Sequence, residues 1–387
     1  MSTTHRITHL IVRLDTGGAE TSLLRLITGT QGKLAHQVIC FGPPTALGQK
    51  IENLGVRVSW LDYRRSGPWV LWQAFKLLRR QPPDILQGWM YYGNVLASFL
   101  AWCLPRTAAA ETVPARVKVA WNVRNAIVEP GNDSWMIRSA IACSRWCHPD
   151  LVIYNSFAGQ QAHQGMSLRG RQVVVPNGID LTEFVPDTKI RDEVRSKHHR
   201  SFDTWVGVIA RWHKGKGIRE YLEAVKLLRQ KDAPARFFLA GNGLTLDNPE
   251  FAVLLKDVGL APCDLDLLGP IANVARFLPA VDLLVLPSLR EGTPNILLEA
   301  MACGVNTVAT IVGDAARIVQ SPARQVIPGD VQDLAAKISA SMVESDQSRE
   351  ARIKQERDFL ASNYNAPICM QAYSDHYDDL FAQPSHA

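Results

Sequence analysis

The sequence lacks any hydrophobic run long enough to span a membrane. The apolar stretch closest to such a segment, ASFLAWCLP at residues 97–105, falls well short of the roughly 20 residues that a transmembrane helix needs. The N-terminal residues MSTTHRITHLIVRLDTGG contain no signal-peptide core and read as a polar lead into a strand. These absences predict a cytoplasmic protein without membrane-spanning segments.

Cysteine is also scarce. The seven cysteines of the 387-residue chain are scattered, which is typical of reduced thiols and not of a disulfide framework. Cys143, Cys147 and His148 stand close together in CSRWCH, but no second ligand pair follows at zinc-finger spacing. We therefore expect no metal site at this cluster, and since no motif for a bound cofactor is evident, we expect no cofactor. The sequence also has no low-complexity tract and no repeat of 20–50 residues.

Charge of one sign is unevenly distributed. Residues 1–190 contain 20 Lys and Arg against 12 Asp and Glu, whereas residues 191–387 contain 22 against 25. A basic N-terminal half suits an anionic partner, either a phosphorylated acceptor or an anionic membrane surface. For any single basic residue, an ordinary solvated surface position remains the alternative. We expect no nucleic-acid partner.

Short apolar or β-branched runs alternate with amphipathic helical stretches throughout the chain. The first half contains seven such runs: ITHLIVRL, HQVICFG, VRVSWLD, DILQGW, VKVAWNV, DLVIYNS and RQVVVPNG. The second half adds TWVGVIAR, ARFFLAGN, LDLLGP, VDLLVLPS, VNTVATIVG and RQVIPGD. This strand–helix alternation, present twice, predicts an α/β protein with two Rossmann-like, doubly wound parallel-sheet domains.

The composition changes between Val185 and His199, where few core residues occur. We therefore predict an N-terminal domain at residues 1–188 and a C-terminal domain at residues 189–365. Residues 366–387 are predicted to form a C-terminal helix that crosses back to the N-terminal domain. Because open α/β sheets bind ligands beyond the carboxyl ends of their strands, the expected site is a cleft between the two domains.

The stretch REGTPNILLEA at residues 290–300 places two glutamates with seven residues between them. Thr293 and Pro294 resemble an N-cap and a first helical residue, and Gly304 suits the position just beyond the helix. We therefore predict a helix of about ten residues that starts at Pro294, with Glu291 in the loop before it.

Glu299 lies on the predicted helix among apolar neighbours and shares a face with Asn295, four residues earlier. A carboxylate on a mostly buried helix needs a partner. A ligand is one such partner, and a bond to the neighbouring backbone is the alternative.

Three strand-to-helix junctions have residues suited to a phosphorylated ligand. Gly17 and Gly18 follow the first strand and open a helix, where backbone amides can approach an anion. Arg211 and Lys216 lie between the strand WVGVIA and the next helix. The planar guanidinium of Arg can donate two parallel hydrogen bonds to a phosphate, and the ammonium of Lys adds a compact positive charge. The REGTPN turn offers free amides at the start of the Pro294 helix. For the glycines, a tight turn remains the alternative reading.

The ordered set of motifs resembles the retaining glycosyltransferases of family 4, which share the two-domain GT-B fold. Further segments support the resemblance: TGGAE at 16–20, VPNGID at 175–180, LAGNGL at 239–244, LLGPI at 267–271 and VDLLVLPSLREGTPNILLEAMACG at 281–304. The resemblance runs from about Ile7 to Leu380, and the E-x7-E motif falls on Glu291 and Glu299.

The resemblance implies a metal-independent transferase with a nucleotide-diphosphate sugar, UDP- or GDP-linked, as donor substrate. It would move a hexose-type sugar, with retention, to a glycan, lipid-linked saccharide or small acceptor, in cell-surface polysaccharide synthesis. Arg211 and Lys216 would hold the diphosphate, Glu291 would contact the sugar, and a leaving phosphate oxygen would take the acceptor proton. The remaining donor-binding residues would be Glu299 (at the ribose hydroxyls), Gly292, Thr293, Pro294, Asn295 and Gly241. The acceptor side would hold Gly17, Gly18, Asn122 and Arg124.

The chain departs from the family pattern at three points. Many relatives have a histidine near the reacting sugar, whereas the corresponding regions here read WMYYGN (89–94) and WNVRN (121–125). Tyr92, Asn122 or Arg124 would instead line the side of the site near the reacting sugar. Asn306 and Ile311 stand where relatives usually have Pro and Asp, so we expect altered loop geometry there. Asp264 and Asp266 form D-x-D, a metal–nucleotide signature of another glycosyltransferase fold, which we interpret as polarity at a strand edge.

Other functions remain as alternatives. A dinucleotide oxidoreductase would require G-x-G-x-x-G after a strand, and no such fingerprint is present. A sugar-nucleotide epimerase or a phosphorylase with the same architecture is closer, although no motif for either is evident. A non-catalytic nucleotide-sugar-binding partner of a glycosyltransferase also remains open.

The segment PWVLWQAFKLLRRQ combines apolar residues with Lys76, Arg79 and Arg80, and it follows Arg64 and Arg65. This combination suits a helix that rests peripherally on the inner face of the cell membrane. In the competing interpretation, the helix packs its apolar residues against the domain sheet, and its cations are merely solvated.

Overall fold

The chain folds into two compact units in a computed structural model. One unit comprises Met1–Gly178 with Ala366–Ala387, and the other comprises Ile179–Asn365. The structure describes residues 5–15, 17–104, 116–124, 142–143, 146–164, 168–197, 204–261 and 264–382. The predicted helical stretch WMIRSAIACSRWC lies mostly outside these residues.

The first unit is built on a seven-stranded parallel sheet with the order β3-β2-β1-β4-β5-β6-β7. Its strands are β1 Arg6–Ile11, β2 Ala35–Cys40, β3 Arg57–Trp60, β4 Ile85–Trp89, β5 Lys118–Val123, β6 Leu151–Tyr154 and β7 Arg171–Val174. Each of these strands overlaps one of the seven predicted runs, and β1 and β2 begin one residue before theirs. Nearly all residues of the central strands β1, β4 and β5 are buried, as expected for a sheet covered on both faces.

Helices connect these strands and cover the sheet. They are α1 Gly18–Gly29, α2 Ala46–Asn53, α3 Tyr63–Ser66, α4 Trp69–Arg80, α5 Met90–Cys103 and α6 Phe157–His163. The C-terminal helix, Ala366–Ala382, also belongs to this unit and packs beside α1. Its buried residues Cys369, Met370, Tyr373 and Tyr377 join the same core cluster as Leu23, Leu26 and Ile27 of α1.

The second unit has a six-stranded parallel sheet with the order β10-β9-β8-β11-β12-β13. Its strands are β8 Trp205–Ile209, β9 Arg236–Ala240, β10 Asp266–Gly269, β11 Leu283–Leu286, β12 Asn306–Thr310 and β13 Gln325–Val326. Its helices are α7 Thr188–Ser196, α8 Ile218–Arg229, α9 Pro249–Val258, α10 Val274–Phe277, α11 Asn295–Ala302, α12 Ala315–Ile318, α13 Val331–Ser341 and α14 Asp346–Asn363. The predicted strand runs of this half are therefore also present. The predicted fold class, two Rossmann-like parallel-sheet domains, is confirmed.

The chain passes from the first unit to the second at residues 178/179, ten residues earlier than the predicted boundary at 188/189. The reason is packing. Ile179 and Phe184 are buried in a core cluster of the second unit, and the Ile179 amide donates to the Tyr364 carbonyl at 2.8 Å. The stretch with few core residues after Val185 therefore lies within the second unit. The return occurs at residues 365/366, where the C-terminal segment was predicted to begin.

Each sheet has a point at which the strand order reverses. In the first unit it lies between β1 and β4, and in the second it lies between β8 and β11. Loops after such neighbouring strands diverge and leave a crevice at the carboxyl edge, where open α/β sheets bind ligands. The residues predicted to bind the donor and the acceptor follow these strands or their neighbours, except Asn122, which lies near the end of β5.

A chain of buried hydrogen bonds crosses the core of the first unit. Trp89 Nε1 donates to His9 Nδ1 at 3.2 Å, His9 Nε2 lies 3.0 Å from His36 Nδ1, and His36 Nε2 lies 2.8 Å from Thr30 Oγ1. Thr30 Oγ1 in turn donates to the Leu26 carbonyl at 2.6 Å. Because Trp89 can only donate, both imidazoles are neutral with their proton on Nε2. Burial lowers the pKa of His36 to about 4. Burial, and secondly repulsion from His36 when that ring is protonated, lower the pKa of His9 well below its ordinary value.

We expect the first unit to lose stability as the pH falls below about 6.5. An unfolded histidine binds a proton near that pH, whereas His9 and His36 in the folded unit do not, so acid favours the unfolded state. The stability that the two neutral histidines contribute is fully present above the pKa of an unfolded histidine. It is lost as the pH falls from about 6.5 to the pKa values of the folded state. Urea unfolding of wild type and His36→Gln at pH 7.5, 6.0 and 5.0 measures this. The variant should be less stable at pH 7.5 and should show a shallower pH slope. If the pH dependence of stability is the same in the variant and in wild type, the two histidines are not neutral as the hydrogen bonds require.

Candidate functional site

The reversal point of the second sheet carries a charged pair. Lys216, in the loop after β8, lies with its Nζ 2.7 Å from Oε1 of Glu291, in the loop after β11. Ser288 Oγ donates to the same oxygen at 2.7 Å. Both charged side chains are mostly shielded from solvent, with 25% of Lys216 and 11% of Glu291 exposed. Two residues that the sequence predicted for one site are therefore in direct contact.

Close backbone packing brings the two loops together. Lys214–Lys216 form a 3-10 turn, and Gly217 follows with a φ of +64° at the start of α8. A Cβ on Gly217 would lie 1.8 Å from the Pro287 carbonyl oxygen, so only glycine fits there. The Leu289 amide also donates to the Gly215 carbonyl at 2.9 Å. Lys216 is thus held directly beside the loop that carries Glu291.

Ser288 contacts the candidate site through Glu291 and was not predicted from the sequence. It is 1% exposed, and its carbonyl accepts a hydrogen bond from Thr310 Oγ1 at 2.5 Å. The same hydroxyl reaches the Leu286 carbonyl at 3.2 Å, so β12 fixes the end of β11. A signal was present, because Ser288 ends the predicted strand VDLLVLPS where an exposed turn begins.

The helix after the REGTPN turn begins at Asn295, one residue later than predicted, and it has eight residues. The cause is the backbone of Pro294, which is extended with a ψ of 93° and therefore occupies the N-cap position predicted for Thr293. Gly292, Thr293 and Asn295 are partly buried around this helix start, and Gly304 has the expected left-handed φ of +76°.

Glu299 lies in the middle of α11 (Asn295–Ala302) and is partly exposed, although its neighbours Leu298 and Ala300 are buried. Its side chain therefore lies at the border of the core and is not enclosed by it.

The loop after β12 packs against the backbone of Glu291 and Gly292. The Asp314 amide donates to the Gly292 carbonyl at 2.9 Å. Gly313 has a φ of +56°, and a Cβ there would lie 2.4 Å from the carbonyl oxygens of both Glu291 and Gly292. Asn306 and Ile311, which stand where relatives usually have Pro and Asp, do not prevent this backbone packing. Asn306 Oδ1 instead accepts from the Thr307 amide at 2.9 Å and from Arg324 at 3.1 Å.

Arg211 and Gly241 lie at the neighbouring strand ends. Gly241 directly follows β9 with a φ of +135°, and a Cβ there would lie 1.9 Å from the Ala210 carbonyl oxygen. The Trp212 amide donates to the Asn242 carbonyl at 2.7 Å and ties the two loops together. Arg211 is exposed between them, and its guanidinium has no hydrogen bond or ion pair to any residue that the structure describes. It remains available to a ligand.

In the first unit, Gly17 and Gly18 stand at the start of α1, beyond the carboxyl end of β1. Gly17 caps the helix without a side-chain hydrogen bond, and the Glu20 carboxylate fills the space where a Gly17 Cβ would be. A Cβ on Gly18 would meet no atom of the described residues within 4 Å. Burial raises the pKa of Glu20. The space beside Gly18 is therefore empty among the described residues, whereas the Glu20 carboxylate occupies the space beside Gly17.

Arg124, just after β5, is held by four neutral side chains, and we call these five residues the Arg124 cluster. Its Nη1 donates to Ser22 Oγ at 2.7 Å and to Asn177 Oδ1 at 2.6 Å. Its Nε donates to Asn122 Oδ1 at 2.8 Å, and its Nη2 lies 3.2 Å from the Tyr373 hydroxyl. Its guanidinium also lies 4.9 Å from the centre of the Trp89 ring. Burial lowers the pKa of Arg124, and no carboxylate among the described residues forms an ion pair with it.

The described residues contain no group of three or more His, Cys, Asp or Glu side chains placed to hold a metal ion. The D-x-D carboxylates are engaged locally, as expected for a strand edge. Asp266 pairs with the buried Arg236, and Asp264 accepts a hydrogen bond from the Ala261 amide at 2.7 Å. In CSRWCH, residues 144 and 145 lie outside the described part of the chain.

Two family models match the chain, one in each half. Residues 16–183 match the model described as "Glycosyltransferase Family 4", and residues 203–343 match the one described as "Glycosyl transferases group 1". Together the two matches include most residues of both candidate sites.

Curated relatives align over most of the chain. An N,N'-diacetylbacillosaminyl-diphospho-undecaprenol alpha-1,3-N-acetylgalactosaminyltransferase of Campylobacter jejuni is 24% identical over 365 residues, covering 88% of this chain and 91% of the relative. The putative glycosyltransferase EpsF of Bacillus subtilis is 24% identical, covering 79% and 78%.

Solved structures share the fold. Anabaena Alr3699/HepE in complex with UDP superimposes with a TM-score of 0.80 at 20% identity, covering 97% of this chain and 100% of that one. The complex of the same protein with UDP-glucose gives a TM-score of 0.78. A sucrose-phosphate synthase of Thermosynechococcus elongatus gives 0.74 at 18% identity.

Proposed function

We propose that this chain, a group 1 glycosyltransferase with the GT-B fold, transfers a hexose-type sugar from a UDP- or GDP-sugar with retention of anomeric configuration. The observation that carries the proposal is the contact of Lys216 with Glu291 at the reversal point of the second sheet. Lys216 can bind a diphosphate, and Glu291 can bind a sugar. The two side chains lie next to each other at the sheet edge where open α/β sheets bind ligands.

The second unit supplies the donor site. Arg211 and Lys216 bind the diphosphate, and the amides at the start of α11 add positive partial charge. Glu291 faces the sugar, while Glu299 binds the ribose hydroxyls from the outer side of α11. Because these positive groups are part of the protein, the diphosphate needs no metal ion as it leaves.

The transfer step breaks the bond between the anomeric carbon and the phosphate oxygen. A new bond forms from the acceptor hydroxyl to the same face of that carbon, and the departing phosphate oxygen takes the hydroxyl proton. Glu291 and the leaving diphosphate offset the positive charge that develops on the sugar ring, whereas Lys216 offsets the negative charge that develops on the phosphate. This route uses no protein nucleophile.

The first unit supplies the acceptor side. Gly17, Gly18, Asn122 and Arg124 lie at or near the carboxyl ends of β1 and β5. The Campylobacter relative is named for a diphospho-undecaprenol acceptor, and this chain aligns with 91% of it. We therefore place this protein in the synthesis of a cell-surface polysaccharide, with a glycan or lipid-linked saccharide as acceptor and a small acceptor as the alternative.

An aromatic and basic surface on the same unit suits contact with the inner face of the cell membrane. Trp69 and Trp72 of α4 are 60% and 47% exposed and stack with their centroids 5.0 Å apart. Lys76 lies over the Trp72 ring at 4.8 Å, whereas Val70, Ala74 and Leu78 are buried against the domain. The helix thus packs one apolar face and leaves two tryptophans outside. No helix among the described residues is long and apolar enough to cross a bilayer.

We expect the protein to sediment with vesicles that contain anionic lipid and much less with neutral ones. Each Lys or Arg near an anionic leaflet adds about 1 kcal/mol, and exposed tryptophans favour the interface. Replacing Arg64, Arg65, Arg79 and Arg80 by Glu should abolish the preference for anionic vesicles. Lys231→Glu/Lys354→Glu, on exposed positions of the second unit, is the control and should retain it. Binding that ignores lipid charge, or that survives the fourfold reversal, rules out this surface.

A transfer assay tests the proposed function. Radiolabelled UDP-glucose, UDP-N-acetylglucosamine and GDP-mannose are each incubated with the protein, EDTA and a membrane lipid extract of the producing organism. One donor should label the lipid fraction, and release of the nucleoside diphosphate should accompany transfer. Donor binding without transfer or hydrolysis would instead identify a non-catalytic partner, and conversion of the donor into another sugar nucleotide would identify an epimerase.

A further inference from the structure

The C-terminal helix contributes one side chain to the Arg124 cluster. The Tyr373 hydroxyl accepts hydrogen bonds from Asn122 Nδ2 at 2.9 Å and from Arg124 Nη2 at 3.2 Å. Tyr373 is 2% exposed and Asn122 is fully buried, so water cannot readily replace this hydroxyl. One oxygen from residue 373 therefore joins two groups at the end of β5.

The bond to Asn122 determines how that amide is oriented. With Nδ2 directed at the Tyr373 hydroxyl, Oδ1 faces Arg124 and accepts from its Nε at 2.8 Å. Without the hydroxyl, the amide can rotate, and Arg124 loses a partner at Nη2 and the fixed partner at Nε. The orientation of the guanidinium thus depends on the phenol, both directly and through Asn122.

The remaining members of the cluster tie the guanidinium to the acceptor side. Ser22, which accepts from Arg124, itself donates to the Gly18 carbonyl at 2.8 Å. Asn177, the other partner of Nη1, is 7% exposed and lies next to the first crossing between the units. Since all four partners are neutral, they fix the position of the cation without cancelling its charge.

We propose that Tyr373 is a positioning residue for sugar transfer, which holds Arg124 in the orientation that the acceptor meets. The inference rests on the proposed acceptor-side role of Arg124 and extends it to the C-terminal helix. Transfer to the acceptor then requires that the C-terminal helix is packed in the first unit, in addition to any effect of this packing on stability.

The chain provides a matched control one helical turn later. Tyr377 is fully buried on the same helix, and its hydroxyl donates to Gln87 Oε1 at 2.5 Å, but it makes no hydrogen bond to Arg124. Tyr373→Phe and Tyr377→Phe each remove one buried phenolic oxygen from the same helix. A purely structural role of the helix would make the two variants equivalent.

NMR tests the positioning directly and needs no acceptor. The Arg124 Nε–H signal, assigned by its absence in Arg124→Gln, should exchange slowly in wild type and in Tyr377→Phe. In Tyr373→Phe it should exchange at least about tenfold faster, because two hydrogen bonds to the phenol are lost. Equal exchange in Tyr373→Phe and wild type, or an equal change in both Phe variants, overturns the inference.

A double-mutant cycle in the lipid-extract assay tests the consequence for transfer. Tyr373→Phe should lower kcat/KM for the acceptor about tenfold in the wild-type background, leave KM for the donor unchanged, and have almost no effect in the Arg124→Gln background. A Tyr373→Phe effect that persists in Arg124→Gln would show that the phenol does not act through Arg124. If Arg124→Gln alone leaves transfer unchanged, the proposed role of Arg124 fails instead. Melting temperatures confirm that every variant is folded.

Discussion

Glu291→Gln should lower the turnover of sugar transfer by roughly 100- to 1,000-fold, a loss typical of removing one preorganised electrostatic group from an active site. Glutamine keeps the size of the side chain and can still accept from Ser288 Oγ, which lies 2.7 Å from the carboxylate. What it removes is the negative charge that we propose lies beside the anomeric carbon. Steady-state kinetics at saturating donor measures the change.

Binding of the free nucleoside diphosphate should remain within about twofold of wild type in this variant, because we place Glu291 at the sugar and not at the nucleotide. Glu299→Gln is the matched control, with the same chemical change eight residues later on α11. It should mainly weaken nucleotide affinity and leave turnover at saturating donor near normal. If both variants lose nucleotide affinity equally, the division between a sugar carboxylate and a ribose carboxylate is wrong.

Lys216→Ala should weaken binding of the nucleoside diphosphate by about one to two orders of magnitude. Losing a charge-assisted contact costs roughly 1.5–3 kcal/mol, which corresponds to that change in Kd. The substitution also leaves the Glu291 carboxylate without the cation 2.7 Å away, so turnover should fall as well. Calorimetry in EDTA measures the affinity.

Lys214→Ala provides the control for this measurement. Lys214 is exposed and lies in the same 3-10 turn, two residues before Lys216, so its loss removes the same charge from the same loop. Affinity should change little. Equal losses in the two variants would show that the loop acts only through its overall charge and that the position of Lys216 is irrelevant.

The sequence predicted the strands well because buried parallel strands leave a local signal. Each of the 13 apolar or β-branched runs overlaps an observed strand, even β13 with only two residues. Local patterns were less reliable at boundaries. Pro294 was predicted inside helix α11, but its extended backbone makes it the N-cap, and Phe184 gave no sign that it packs in the second unit.

The residues that support the site could not be predicted in the same way. Lys216 and Glu291 were assigned to one site by motif, but their direct contact depends on the loop packing at Gly217. Ser288 was marked only by its place at the end of a predicted strand, whereas the Tyr373 hydroxyl carries no local mark of its contacts with Asn122 and Arg124. Distant pairs, such as Asn122 with Tyr373 across 251 positions, follow only from the folded chain.

The central claim is that the second unit binds a nucleoside diphosphate with protein groups alone. Calorimetric titration of the wild-type protein with UDP, GDP and ADP, each in excess EDTA, tests it most directly. We expect UDP or GDP to bind, with an affinity that does not increase when EDTA is replaced by magnesium. Binding of none of the three, or binding that occurs only after magnesium is restored, would contradict it.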